Sequence, residues 1–312
     1  MSIYIAIDIG GTQMRAAAFP IEGYDPIRVQ KIPTHSPNAS PQERLILLIK
    51  SVCPENETIN SIGVAAPGPM NPKTGVIYTA PNIAEFRDFA LTDYLENEFQ
   101  VPAFLDNDAN LAALGEWLIG AGKGHDHLLY FTISTGIGSG IIVDGKLLHG
   151  ESGIAAELGH VTVLPDGPIC GCGHPGHLEA LASGKNIARW VKKELAKGVE
   201  STLRNAKKVT AKRIAKAAKK GDPLAIMAFE RAGEHIGLAL ASFLHAFNPS
   251  IVVFGGGVSL SGDLLLEPIR RSVKNHVMNS KFTDNLVITT AALGDDAGMI
   301  GALILARTAI EQ

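Results

Sequence analysis

Cysteine is scarce in this chain of 312 residues, with Cys53 standing alone and Cys170 and Cys172 two apart. A secreted disulfide framework needs a larger, spread set of half-cystines, so this usage excludes one and points to a reducing, cytoplasmic setting. A basic surplus is absent as well. Twenty-eight Lys and Arg against 31 Asp and Glu leave a formal net charge of -3; nucleic-acid binders neutralise phosphates with excess cations, so no nucleic-acid partner is expected. No apolar run is long enough to cross a membrane. The opening apolar stretch, residues 3–7, is cut by Asp8 and has no basic flank, and so reads as a buried strand instead of a signal peptide. The G-x-x-x-x-G-K-[ST] string of a P-loop is also missing, which disfavours that nucleotide fold.

What is present is ordinary globular material, 46% hydrophobic and 19% charged, in a chain longer than one compact core usually needs. Residues 3–7 lead into Asp8-Ile9-Gly10-Gly11-Thr12 and then a second apolar run over 14–19. That is strand, turn, strand, whereas a Rossmann site runs from strand to helix. A similar unit returns at 128–133, followed by the glycine loop Ser134-Thr135-Gly136-Ile137-Gly138-Ser139-Gly140 and a strand over 141–143. Asp144-Gly145 predicts a two-residue hairpin. A third apolar strand, 251–254, runs into Gly255-Gly256-Gly257. The repetition predicts an α/β protein of two actin-like (RNase H-like) domains with an interdomain active-site cleft. The smaller domain is expected over 1–110, with a C-terminal helix at about 298–312 returning to it, and a larger one over 111–297.

Leu111, Leu114 and Leu118 recur at helical spacing and put Asp108 at a helix N-terminus, where a carboxylate is favoured. Ile236, Leu240, Phe243, Leu244 and Phe247 form one apolar helix face that should stop at Asn248-Pro249. The lysine-rich stretch 192–220 reads as a solvated helical face.

Glycine turns let backbone N–H groups approach phosphate oxygens, and a nearby carboxylate can position Mg2+ through water. Asp8, Gly10, Gly11 and Thr12 are therefore one candidate phosphate turn, Thr135 and Gly136 a second, and Gly255, Gly256 and Gly257 a surface for adenosine. The loop Leu105-Asp106-Asn107-Asp108-Ala109-Asn110 gathers carboxylates and amides suited to a polyol. Phosphoryl transfer to an alcohol needs a carboxylate at the attacking O–H, and Asp108 is the candidate base. Glu157-Leu158-Gly159-His160 and Cys170-Gly171-Cys172-Gly173-His174-Pro175-Gly176-His177-Leu178-Glu179 bring two Cys and three His within a short span. Zn2+ takes four S and N ligands, and His160, Cys170, Cys172 and one of His174 or His177 would close a structural site. The pinned loop would then hold Glu157 and Glu179 for sugar hydroxyls, and His160 could bind a hydroxyl through its second ring nitrogen.

On these motifs, together with Ala66-Pro67-Gly68-Pro69, Pro81-Asn82 and Val253-Phe254-Gly255-Gly256-Gly257, the chain resembles the ROK family (repressors, open reading frames and sugar kinases) over essentially its whole length. Within the family it is most similar to the bacterial ATP-dependent glucokinases. The resemblance implies a hexose, glucose favoured, held by Gly68, Asn82, Asn107, Asp108, Glu157, His160 and Glu179, with Asp108 deprotonating the C6 hydroxyl. It implies ATP with its phosphates at Gly10, Gly11, Thr12, Thr135 and Gly136 and its nucleoside near Gly255 to Gly257, a structural Zn2+, and a homodimer or dimer of dimers. Two departures stand out. The family's third zinc-loop cysteine is replaced by His177, giving a Cys2His2 set of His160, Cys170, Cys172 and His177 unless His174 serves instead. After Pro81-Asn82, the aromatic, glycine-containing segment frequent in glucokinases is replaced by Ile83-Ala84-Glu85-Phe86-Arg87, which weakens the case for glucose more than the case for kinase activity. The rivals are a ROK kinase for fructose, mannose, allose or N-acetylmannosamine, a polyphosphate donor, and a non-catalytic sugar-sensing regulator. Such regulators carry a DNA-binding region before the first strand, for which Asp8 leaves no room here.

Overall fold

A computed structural model describes residues 2–309. In chain order the elements are β1 (Ser2–Ile9), β2 (Gln13–Phe19), β3 (Arg28–Pro33), α1 (Pro41–Val52), β4 (Thr58–Ala66), β5 (Met70–Asn71), β6 (Val76–Ala80), β7 (Ile83–Ala90), α2 (Leu91–Phe99), β8 (Ala103–Asn107) and α3 (Asp108–Leu118). There follow β9 (Leu128–Ile133), β10 (Ile137–Val143), β11 (Lys146–Leu147), α4 (Leu178–Ala182), α5 (Gly184–Ala196), α6 (Ala211–Ala218), α7 (Pro223–Phe247), β12 (Ile251–Gly255), α8 (Asp263–His276), β13 (Val287–Thr290) and α9 (Ala297–Thr308). The described chain divides into two compact units, one of residues 2–119, Leu147–Ala156 and 295–309, the other of Gly120–Lys146 and Glu157–Gly294.

The first unit is built on a sheet in the order β3-β2-β1-β4-β8, antiparallel through β3, β2 and β1 and parallel from β1 to β4 and β8. Period-2 patterning decides its two faces. Ile3, Ile5, Ile7 and Ile9 of β1 and Ile62 and Val64 of β4 join Leu45, Leu48 and Ile49 of α1 in one apolar core. The intervening residues of β4 face α9: Ser61 donates its hydroxyl to the Ala306 carbonyl at 2.7 Å. A Cβ on Gly63 would collide with the Ala302 carbonyl, and one on Gly301 with the Leu111 carbonyl. Missing side chains thus let α9 lie close to both β4 and α3. The residues 83–87 that depart from the family pattern lie in β7 of a small sheet ordered β5-β6-β7, with Ile83 and Phe86 fully buried and Phe86 stacked on Phe89.

The second unit repeats the plan in the order β11-β10-β9-β12-β13, with β9 and β10 antiparallel and β9, β12 and β13 parallel. Its helix α7 begins at Pro223 behind the Asp222 N-cap and ends at Asn248, which takes a left-handed φ of 43°. There the polar side chain tolerates a conformation most residues avoid. The Asp144-Gly145 hairpin has positive φ at both residues, as a type I′ turn requires.

Three expectations need correction. The glycine loop 134–140 is shorter than read, because β10 already begins at Ile137 and Gly138 and Gly140 are strand residues paired with Thr132 and Tyr130. The lysine-rich stretch 192–220 is not one helical face: α5 stops at Ala196 and α6 starts at Ala211. Asp222 captures Ser201 and Thr202 through side-chain hydrogen bonds of 2.9 and 2.6 Å, which draws the intervening chain into a loop. The break at 110/111 falls inside the continuous helix α3, and the compact units part after residue 119. Of the helix expected at about 298–312, residues 310–312 lie outside the described residues.

Gly63→Ala should lower the free energy of unfolding by about 1–3 kcal/mol, the usual cost of forcing a methyl against backbone. A urea titration checks it, and an unchanged midpoint would contradict the close approach of α9.

Candidate active site

In the first unit the turn between β1 and β2 is held from both sides. The Gly10 N–H donates to the Gln13 carbonyl at 2.9 Å, and buried Thr34 donates its hydroxyl to the Gly10 carbonyl at 2.6 Å and its N–H to the Thr12 carbonyl at 2.9 Å. The Asn82 side chain rests on Gly11, where a Cβ would displace it, and His35 Nε2 lies 2.9 Å from the Asn82 carbonyl oxygen. A residue read for sugar therefore touches a residue read for phosphate. Asp8, the last polar residue of β1, pairs with Arg15 at 3.2 Å, and Arg15 also donates to Asp296 at 3.1 Å and to the Asp295 carbonyl at 2.6 Å, beside the start of α9. Burial raises the Asp8 carboxyl above its ordinary value, with the Arg15 cation opposing.

At the same end of this sheet, where β8 runs parallel to β4 and β4 to β1, Asn107 caps α3 by accepting the Ala109 N–H at 2.9 Å. Asp108, exposed at the first helical residue, accepts the same N–H at 2.7 Å. Gly68, between β4 and β5, lies beside the Asn107 amide, about one van der Waals contact from where its Cβ would stand. Behind this loop sits a buried carboxylate, Asp106, bonded to His149 Nε2 at 2.6 Å.

In the second unit Glu179 is the node. Its carboxylate accepts the Ile137 N–H at 3.0 Å and lies 3.5 Å from the Cys170 sulfur. A Cβ on Gly136 would strike that carboxylate, so the glycine makes room for an acid beside the Thr135-Gly136 turn. Gly256, at φ 79°, is pressed against the backbone of Ile133. The Val258 N–H donates to the Ile133 carbonyl at 2.9 Å, so the glycines after β12 adjoin the turn after β9. Gly255 packs against the Tyr130 ring, and Gly257 is open on its Cβ side. Glu157 is reached by water, yet the protein crowding it raises its carboxyl; His160 opposes the shift and Glu179 adds to it.

His160, Cys170, Cys172 and His177 offer one ligand atom each, all within 4.8 Å of one another. The sulfur–nitrogen separations are 3.7 Å for Cys170 and His160 and 3.2 Å for Cys172 and His177. Zinc bonds to sulfur and imidazole nitrogen meeting at the tetrahedral angle give edges of roughly 3.5 Å, so this donor set can hold such an ion. His174 is exposed and stands outside the group. Burial pushes the Cys170 thiol up to about 11, with the Glu179 charge adding and the Cys172 N–H opposing.

Two RNase H-like units, each with a glycine turn between its first two strands and each ending a parallel strand in polar or glycine residues, define the actin-like class of α/β proteins. The chain belongs to the ROK family, whose pattern matches residues 4–309. It is 35% identical to a glucokinase of Thermotoga maritima over 98% of both chains. It is also 35% identical to a ROK family glucokinase of Streptomyces griseus, whose crystal structure holds glucose and AMPPNP; the TM-score is 0.82 over 98% of this chain and 99% of that one. A xylose repressor of Caldicellulosiruptor bescii is 34% identical over 83% of this chain and 66% of its own length.

Sequence reasoning missed Arg15, Thr34, His35 and His149, each of which organises a residue it did find. None lies in a glycine or metal motif, and their partners are up to 281 positions away. Because Arg15 offsets the cost of burying Asp8, Arg15→Met should destabilise the fold by about 1–2 kcal/mol at neutral pH. The Asp8-dependent part of the loss should vanish as pH falls through the raised Asp8 value, since a protonated carboxyl needs no cation. Denaturant titrations at two pH values, beside the Asp8→Asn and double variants, check this; a loss independent of pH and of Asp8 would assign Arg15 to the α9 contacts alone.

Proposed function

We propose that this protein is an ATP-dependent glucokinase that transfers the γ-phosphoryl group to the C6 hydroxyl of glucose. The observation that carries the reading is the exposed Asp108 carboxylate at the N-terminus of α3, in a chain similar to glucokinases along nearly its full length. Gly68, Asn82, Asn107, Glu157, His160 and Glu179 bind the sugar hydroxyls. Asp108 accepts the C6 proton as the oxygen attacks phosphorus, so the nucleophile gains charge as the bond to the leaving ADP oxygen breaks. Backbone N–H groups of Gly11, Thr12, Thr135 and Gly136 receive the phosphates, Gly10 closes the turn through its own bond to Gln13 and leaves room for them, and Gly255 to Gly257 receive the nucleoside. Asp8 is the carboxylate that would hold Mg2+ through water, and the ion would supply countercharge to the phosphates. The protein works in the cytoplasm as a homodimer, or a dimer of dimers.

Asp108→Asn keeps an acceptor for the Ala109 N–H but removes the base. With Mg-ATP and a panel of hexoses, wild-type protein should turn over glucose best, and the variant should lose at least about 100-fold in kcat with a smaller change in KM. Best turnover on another hexose would keep the base and discard glucose. Sugar binding without turnover would favour a sensor, the reading that the xylose repressor similarity supports.

His160, Cys170, Cys172 and His177 hold a structural Zn2+ that fixes the loop carrying Glu157 and Glu179 to its place in the fold. Elemental analysis of protein purified without chelator should find about one zinc per chain. Cys172→Ser should lower both the zinc content and the thermal midpoint. Metal-free wild-type protein of undiminished stability would refute the assignment.

A further inference from the structure

Asp106 is a carboxylate with 1% exposure at the foot of β8, two residues from the proposed base. One oxygen accepts the Asn107 N–H at 2.7 Å and the Asn110 side-chain amide at 3.0 Å; the other accepts from His149 Nε2 at 2.6 Å. Three donors thus meet this carboxylate, and the only side chain among them from outside the turn 106–110 is His149. It comes from the segment Leu147–Ala156 of the same unit. That segment closes on itself through a bond of 3.0 Å from the Ala155 N–H to the His149 carbonyl. Gly153, at φ 80°, sits against Pro72. The next residue along the chain is Glu157.

We propose that His149 is a positioning residue for phosphoryl transfer, an inference that rests on the kinase reading. By donating Nε2–H to Asp106 it fixes the turn 106–110, and so sets Asn107 for the sugar and Asp108 for the attacking hydroxyl. A buried carboxylate that loses one of its donors reorients or recruits water, and the turn that carries the base moves with it.

The charged groups around His149 are Asp106 from β8 and Lys73 from the turn between β5 and β6. The hydrogen bond to Asp106 is the main cause that raises the imidazole above its ordinary 6.5, with the Asp106 charge adding and burial and Lys73 opposing. A raised value means that the folded protein favours the protonated ring. The charge-assisted part of its contribution is complete below 6.5 and is lost as pH rises through the folded value, while a neutral ring protonated at Nε2 still donates.

The test compares His149→Ala and His149→Gln with wild type, because glutamine keeps an N–H donor but cannot titrate. His149→Ala should lose about tenfold or more in kcat/KM for glucose, while KM for ATP stays within about twofold. His149→Gln should recover most of that loss, and its sugar kcat/KM should lack a high-pH decline that wild type shows. Wild-type values in His149→Ala, equal losses for sugar and ATP, or glutamine no better than alanine would each overturn the proposal. If wild type phosphorylates no hexose, the kinase reading fails separately, and hydrogen exchange decides the anchoring. Faster exchange at the Asn107 and Ala109 amides of His149→Ala, with β9 and β12 amides unchanged, supports it; unchanged exchange at Asn107 and Ala109 overturns it.

Discussion

The carboxylate of Asp106 has to be satisfied where water does not reach it, and the chemistry assigned to the first unit is arranged around that requirement. A buried acid without donors is among the costliest defects a fold can carry. Here the donors are the Asn107 N–H, the Asn110 amide and the His149 ring. Each bond that neutralises the defect also removes a degree of freedom from the loop between β8 and α3. Asn107 is left to cap the helix, and Asp108 is left as the first exposed residue of α3. There a helix N-terminus turns its N–H groups and positive dipole end toward the carboxylate.

The second unit uses a different device for the same end. Glu179, in the first turn of α4, reaches the Ile137 N–H and the Cys170 sulfur, so one acid ties the loop of the Cys/His cluster to the turn 134–136. Gly136 and Gly159 allow this by omission, since a Cβ on either would strike the Glu179 carboxylate or the Ile137 backbone. A loop with no extended pairing of its own is in this way referenced to a strand, and rigid referencing is what hydroxyl recognition demands.

Much of this was legible in the sequence where the signal is local. Helical leucine spacing after Asp108, the Asp144-Gly145 turn and the Cys-x-Cys spacing each encode their geometry within a few residues, and the structure has α3, a two-residue turn and the four-ligand cluster there. Signals spread across the chain were not legible. A lone histidine at 149, between Leu148 and Gly150, looks like any loop residue until β8 is placed beside it. The helical spacing of 192–220 is real, but the side chain of Asp222 outcompetes it for Ser201 and Thr202. Gly138 and Gly140 read as loop because glycine weakens strands, yet pairing with β9 on one side decides their state.

The departure at residues 83–87 bears on selectivity. Ile83 and Phe86, the large apolar side chains of that segment, are fully buried in the core of the first unit. They are committed to packing and unavailable to line a sugar. Epimeric hexoses differ by the direction of a hydroxyl, and apolar contact discriminates such isomers weakly, whereas a site built to bond a hydroxyl leaves its own polar groups unpaired when that hydroxyl is misplaced. On the kinase reading, discrimination therefore falls to Asn82, Glu157, His160 and Glu179. Asn82 is braced by Gly11 and His35, and Glu179 by Ile137. The rigidity of those braces, more than the identity of the departed aromatic segment, then sets how sharply glucose is told from its isomers.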